Sequence, residues 1–339
     1  MRDRFFVEGV HATGARVALA PDDARKLATV LRKRTGDRVQ IVDSGGVAYA
    51  ATLEVDGRDV LARLDEPLAR ENPETTLEIT PEPSRLRWIH DVFGNCVALA
   101  QFSGRATELR FDSRVVLDHS PMHALDFQLD EHAECYPFSY GAEEMPDLLR
   151  SIEPQFPDPG RRLERWARQF LPKDKPARTY DLLTTMTHAI RENLAYVARS
   201  EKGTQEPLQT LRLGGGTCRD FAMLMIEAVR CLGFAARFVS GYLFSPGHDG
   251  RGHVGGGATH AWVRVFLPGA GWVEFDPTNG IVGNRDLIRV AVARDPRQAS
   301  PISGTWTGFP SESLGMTVEV SVQAITAETD YSASEAWER

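Results

Sequence analysis

Gly214–Tyr242 reads GGGTCRDFAMLMIEAVRCLGFAARFVSGY, and this stretch decides how the rest of the chain is read. Three glycines break the chain, Thr217 supplies a cap, and Phe221, Met225, Ala228, Val229 and Leu232 then recur at helical spacing. Cys218 therefore stands at the first turn of a helix. A helix start presents free backbone N–H groups and partial positive charge, which favour a thiolate, the nucleophilic form of cysteine. Gly233 ends the helix, and ARFVSGYLF reads as a strand.

A nucleophile of this kind needs a base, and the base needs an orienting group. In ATHAWVRVF, Ala261, Val263 and Val265 alternate with His260, Trp262, Arg264 and Phe266, so His260 lies near the start of a strand. The turn LPGAG follows at once, and GWVEFDPTNG forms the second arm of a hairpin. That arm carries Asp276 to a place beside the His260 strand. Cys218, His260 and Asp276 together form a plausible relay of thiolate, imidazole and carboxylate.

CRDFAMLMIEAVRCLGFAARFVSGY, THAWVRVFLPGAGWVEFDPTNG and DPRQASPISGTWTG resemble the bacterial transglutaminase-like proteins, a branch of the papain-like cysteine enzymes. By that resemblance, which covers roughly residues 75–325, Cys218 is the nucleophile, His260 the base and Asp276 its orienter. TTLEITPEPSRLRWIHDVFGNCVALAQFSG resembles the accessory N-terminal β-domain of the same family, whose first strands are missing here. The implied chemistry is cysteine-dependent hydrolysis or acyl transfer on a peptide or protein amide, through a thioester on Cys218. No cofactor is implied.

The first seventy residues form a separate unit. RFFVE reads as a strand, PDDARKLATVLRKR as an amphipathic helix, and RVQIVD, VAYAATLEV and DVLARL as further strands. RFFVEGV, HATGARVAL and KLATVLRKRTGDRVQIVDSGGVAYAATL resemble the PUA-like domain of bacterial ribosomal-RNA uridine methyltransferases. That resemblance implies a small β-barrel and a role in holding RNA, with Arg4, Arg32, Lys33, Arg34 and Arg38 as candidate phosphate contacts. Residues 1–70 hold 12 Lys or Arg against 11 Asp or Glu, so their electrostatic footprint on nucleic acid is weak. The knotted methyltransferase domain has no counterpart, so methyl transfer is not expected.

The fold class expected is α+β: a PUA-like barrel over 1–70, a β-rich accessory domain over 71–135, a papain-like transglutaminase core over 136–325, and a polar tail over 326–339. In the core, the nucleophile helix is expected against an antiparallel sheet. Pro67–Pro73 reads as a linker, Trp88 as a core residue of the accessory sheet, and DLIRVAVAR, ISGTWTG and MTVEVSVQAI as closing strands. Leu182, Met186 and Ile190 mark a helix beside the nucleophile helix, and its His188 reads as structural. The approach loop GTQEPLQTLRLGGGT offers Gln205 and Gln209 as side-chain donors to an oxyanion, and spacing chooses neither.

Composition limits the alternatives. A net charge of −8 over 339 residues disfavours nucleic-acid binding by the chain as a whole. Four cysteines without paired spacing suggest neither a disulfide framework nor zinc, and Cys96, Cys135 and Cys231 read as buried thiols. His248, Asp249 and His253 sit in the glycine-rich SPGHDGRGHVGGGATH, which reads as a loop rather than a metal site. No apolar run is long enough to span a membrane, and the opening MRDRFFVEGVHATG lacks the apolar core of a signal peptide. A cytoplasmic location is therefore expected. Competing with the enzyme reading are a non-catalytic interaction protein on the same fold and an RNA-associated protein directed by its first domain.

Overall fold

The computed structural model describes residues 4–7, 15–19, 24, 27, 33–42, 47–56, 59–70, 75–117, 119, 128–198, 203–244, 254 and 257–324. The chain divides into two compact units, Met1–Arg87 with Ala98–His119 and Trp88–Val97 with Ser120–Arg339.

In the first unit, β1 (Arg4–Phe6), β2 (Arg16–Ala18), β3 (Arg38–Val42), β4 (Val47–Asp56) and β5 (Asp59–Arg70) form one sheet in the order β1-β3-β4-β5-β2. Tyr49, Ala51 and Leu53 on β4 and Val60, Ala62 and Leu64 on β5 are buried at period two, so one face of the hairpin carries the core. The expected barrel is not found among the described residues. β1 and β2 are the two edges, each three residues long, and no pairing joins them. Most of the predicted helix lies outside the described residues, although Ala24 and Leu27 are buried in the same core.

The linker expected from Pro67 begins later, because β5 continues to Arg70 opposite Val47. Its register against β4 shifts twice, between Ala48 and Tyr49 and between Ala50 and Ala51. Such irregularities accommodate a proline, which cannot donate to a regular ladder.

Downstream, β6 (Thr75–Thr80) pairs with β9 (Arg110–Val115), and β7 (Arg85–His90) pairs with β8 (Cys96–Gln101). All six residues of β7 are exposed. Trp88, expected in a core, is 52% exposed, and Cys96 is exposed as well. The alternation made strands as expected, but a strand buries a side chain only where a second layer covers it.

Within the second unit such a layer is present. Its helices are α1 (Met145–Ile152), α2 (Arg162–Arg168), α3 (Thr179–Asn193), α4 (Pro207–Leu213) and α5 (Cys218–Cys231). Its antiparallel sheet runs β13-β12-β11-β10-β14, made of β10 (Ala236–Leu243), β11 (His260–Leu267), β12 (Gly271–Asp276), β13 (Ile281–Val282) and β14 (Leu287–Ala293). Phe238, Val263, Val265, Val273 and Phe275 share one apolar core with Phe221, Met225 and Val229 of α5 and with Leu182, Met186 and Ile190 of α3. Burial of side chains of this size stabilises by about 1.5–3 kcal/mol each, so this core anchors the unit.

Helix α5 is buried on more than its apolar face. Glu227 and Arg230 are themselves buried, and their charges are satisfied locally. Arg230 donates to Glu227 Oε1 (2.7 Å) and to the carbonyls of Ser151 (2.9 Å) and Ala236 (2.8 Å). Glu227 Oε2 accepts from the backbone N–H groups of Gln155 (2.7 Å) and Phe156 (3.0 Å). A buried pair of this kind is tolerable only because its remaining donors and acceptors are also filled. Cys231, at the helix end, is partly buried, and burial pushes its thiol up to about 11. Cys135 is exposed, against expectation, because it lies on a two-residue bridge to Arg178 rather than inside the core.

Of the three expected closing strands, DLIRVAVAR forms β14, and the other two do not form among the described residues. Residues 301–324 contain no strand, and Trp306, Phe309, Leu314 and Met316 are exposed. The alternation of MTVEVSVQ suits a strand, but among the described residues it has no pairing partner.

Candidate active site

Three features place Cys218 at the head of α5. Gly214 closes α4 in the left-handed conformation (φ 67°) that glycine adopts without strain. Gly215 and Gly216 then run parallel to Ala195 and Tyr196, with the Val197 N–H donating to the Gly216 carbonyl (2.9 Å). A Cβ on Gly215 would lie 2.5 Å from the Ala195 carbonyl oxygen, and one on Gly216 would lie 2.8 Å from the Asp220 Cβ. The glycine run is thus a requirement of close packing behind the cysteine.

Asp220, one turn into α5 and fully buried, knots this region together. Its Oδ2 accepts from the Thr217 backbone N–H (2.8 Å) and from the Thr217 hydroxyl (2.9 Å). Its Oδ1 accepts from the Gln205 backbone N–H (2.7 Å). A carboxylate at the third helical position returning to the cap residue is a capping-box arrangement. It also ties the approach loop to the helix start.

His260 opens β11, and Asp276 closes β12. Both are buried, and the His260 Nε2 lies 2.8 Å from Asp276 Oδ2. Asp276 Oδ1 accepts from the backbone N–H of Thr278 (2.8 Å), and its Oδ2 also accepts from Asn279 Nδ2 (2.8 Å). Burial alone would raise the Asp276 pKa, but the charge and hydrogen bond of His260, then Asn279 and Thr278, hold it below the ordinary value. Asp276 is therefore an ionised acceptor.

Burial is also the largest influence on His260, and it acts to lower the imidazole pKa. The Asp276 charge and hydrogen bond, with a further contribution from Cys218, outweigh it and push His260 up to about 10. The second ring nitrogen, Nδ1, is buried without a hydrogen-bond partner. With Nε2 given to Asp276, Nδ1 is the nitrogen left for the thiol. Trp262 stacks beside the ring, with centroids 6.0 Å apart and planes inclined by 28°.

The expected residues thus fall into two groups. Cys218, His260 and Asp276 come together, through one helix start and one hairpin. The five basic candidates of the first unit have no comparable arrangement: Arg32 and the side chains of Arg4 and Arg38 lie outside the described residues, and Lys33 is half-buried. Arg34 is exposed, and its backbone N–H donates to Asp37 Oδ2 (2.8 Å). His248, Asp249 and His253 also lie outside the described residues. Among the described residues no group of three His, Cys, Asp or Glu could hold a metal, and no helix is long and apolar enough to cross a membrane.

Of the two glutamines, Gln209 is exposed, while the Gln205 side-chain oxygen accepts from the Thr210 hydroxyl (3.1 Å). His188 is exposed on α3 and its Nε2 lies 3.2 Å from the Gly280 carbonyl. Two contributors were not singled out from sequence. Asp220 was readable as Thr-x-x-Asp at a helix start. Asn279, three residues after Asp276, has no sequence signal beyond its place in DPTNG.

A buried carboxylate–imidazole pair on a hairpin thus stands beside a cysteine at the head of a core helix. Residues 164–277 match the model of the transglutaminase-like superfamily, and residues 72–118 match that of the bacterial transglutaminase-like N-terminal region. An uncharacterized Mycobacterium leprae protein is 32% identical over 130 residues, 38% of this chain and 46% of that one. An uncharacterized Mycobacterium bovis protein is 32% identical over 171 residues, 48% of this chain and 52% of that one. The chain spans about half the length of these curated relatives. A solved structure from Cytophaga hutchinsonii, assigned as a cysteine protease, shares the fold with a TM-score of 0.50 and 20% identity, over 67% of this chain and 72% of that one.

Proposed function

We propose that this protein is a cysteine-dependent acyl-transfer enzyme that hydrolyses an amide bond in a peptide or protein. The observation that carries the reading is the His260 ring: Nε2 is fixed on buried Asp276 and Nδ1 is left unpartnered beside Cys218. Because His260 is held protonated up to about 10, Cys218 has already given its proton to Nδ1 in the resting pair, and Sγ attacks the amide carbonyl as the thiolate. The first donor to the resulting oxyanion is the backbone N–H of Cys218, which a helix start leaves without an intrahelical acceptor. Collapse breaks the C–N bond, and His260 returns its proton to the departing amine. Water, deprotonated by the now neutral His260, then attacks the thioester, releasing the acid and restoring the thiolate beside the protonated ring. Asp276 stays ionised throughout and holds the ring.

Hydrolysis is preferred to transamidation because water is always present, and among the described residues no amine site is identifiable. The protease assignment of the Cytophaga protein supports a peptide or protein as substrate. Site-mapped alkylation with iodoacetamide near pH 6 tests the reading. Cys218 is expected to label before the exposed Cys96 and Cys135, and labelling of either of those first overturns the assignment. The chain would then be an interaction protein on an enzyme fold.

A further inference from the structure

The Asn279 side chain is buried and makes three kinds of contact. Its Oδ1 accepts from the Val254 backbone N–H (2.8 Å), and its Nδ2 donates to the Val254 carbonyl (3.2 Å). The same Nδ2 donates to Asp276 Oδ2 (2.8 Å) and lies 3.5 Å from His260 Nε2. The Val254 N–H admits one orientation of the amide, with oxygen toward Val254 and nitrogen toward Asp276. Asp276 Oδ2 then receives Asn279 Nδ2 on one side and His260 Nε2 on the other.

This has a consequence for the histidine. Nε2 lies 2.8 Å from the ionised Asp276, which can only accept, so Nε2 donates there and the amide Nδ2 at 3.5 Å is not its partner. Nε2 therefore carries the proton, and the lone pair of the neutral ring is at Nδ1. The proposed mechanism requires that tautomer.

We infer that Asn279 is a positioning residue of this site: its amide, oriented by the Val254 peptide, fixes the Asp276 carboxylate and through it the ring and tautomer of His260. The inference rests on the proposed function, because it concerns how His260 meets Cys218. The turn that carries Asn279 is held independently, by the Gly280 N–H on the Asp276 carbonyl (2.8 Å) and by His188 on the Gly280 carbonyl. Removing the amide should therefore leave the turn in place. The titratable and charged groups around it are Cys218, His260 and Asp276, with His188 and Arg191 of α3 packed against Gly280.

Two variants of the full chain separate positioning from support. Asn279→Ala removes all the contacts. Asn279→Asp keeps the acceptor for the Val254 N–H but replaces the donor facing Asp276 with a second carboxylate, so it preserves the local shape. The readout is the rate of iodoacetamide labelling at Cys218 as a function of pH, with the melting temperature of each variant. Asn279→Ala is expected to label about tenfold more slowly near neutral pH, the scale of a lost hydrogen bond to a charged group. Asn279→Asp is expected to move the acid limb of the profile upward by about one pH unit, because added negative charge opposes thiolate formation. Parent-like rates and limb in both variants would overturn the inference while leaving Cys218 as the reactive thiol. A parent protein whose Cys218 fails to label overturns the proposed function, and the inference with it. If Asn279→Ala does not fold, the Asn279→Asp profile decides alone.

Discussion

Strands β7 and β10 begin from similar sequence and end in opposite surroundings. RLRWIH alternates and carries a tryptophan, yet all six of its residues are exposed. In ARFVSGYL, six of eight residues are buried, and Phe238 packs in the core shared with α5. Their difference is the layer above them. β10 lies within a five-stranded sheet covered by a helix, whereas β7 has β8 as its partner. Strand propensity is local, but burial depends on what the rest of the chain places on top.

The sharpest way to break this contrast is at the chemistry that the covered sheet supports. Cys218→Ala and His260→Ala are each expected to abolish turnover of peptide amides, while Asp276→Asn retains a measurable fraction. Equal, small losses in all three would place the reaction elsewhere.

Packing comes next in size. Phe221→Ala on α5 should cost about 3–5 kcal/mol in urea unfolding, as expected for truncating a buried aromatic. Glu227→Ala should cost a similar 3–5 kcal/mol or so by stranding the buried Arg230. A loss below about 1 kcal/mol at Phe221 would mean that α5 is not the covering layer.

The pH dependence of stability gives a smaller, signed effect. His260 titrates ordinarily at 6.5 and in the fold at about 10, so its contribution is complete below 6.5 and is lost as pH rises through 10. Asp276 is held below 3.8, so its contribution is present above 3.8 and is lost as pH falls through the lowered value. Urea midpoints for the parent should therefore fall between pH 7 and pH 10 more steeply than those of His260→Gln. Parallel curves would count against a raised His260.

The smallest effect should be at Trp88. With half its surface exposed, Trp88→Ala is expected to change stability by no more than about 0.5 kcal/mol. A loss comparable to that at Phe221 would show that β7 is covered in solution.

Much of the second unit was legible. The glycine run, the helix after Cys218, the His260–Asp276 hairpin and the apolar steps of α3 are local patterns, and local patterns are what periodicity reads. Whatever depended on distant partners was not legible. The exposure of Trp88 and Cys96 turns on a missing layer, and the fate of MTVEVSVQ on whether a partner strand reaches it. The open order of β1 and β2 is a matter of closure, which alternation does not encode. At the site, Asn279 escaped notice because its role is set by Val254, twenty-five residues away.

The hairpin that joins His260 to Asp276 also bears on the order of assembly. These two residues are sixteen apart, on neighbouring strands joined by a tight turn at Pro268–Ala270. Hairpins of this kind close in microseconds, since little loop entropy opposes them. Cys218 reaches the pair only after α5 has packed on the sheet, a contact between segments separated by the whole of β10. During folding, the imidazole–carboxylate pair can thus form before Cys218 reaches it. Cys218 joins the pair last, when the core that confines all three residues has closed.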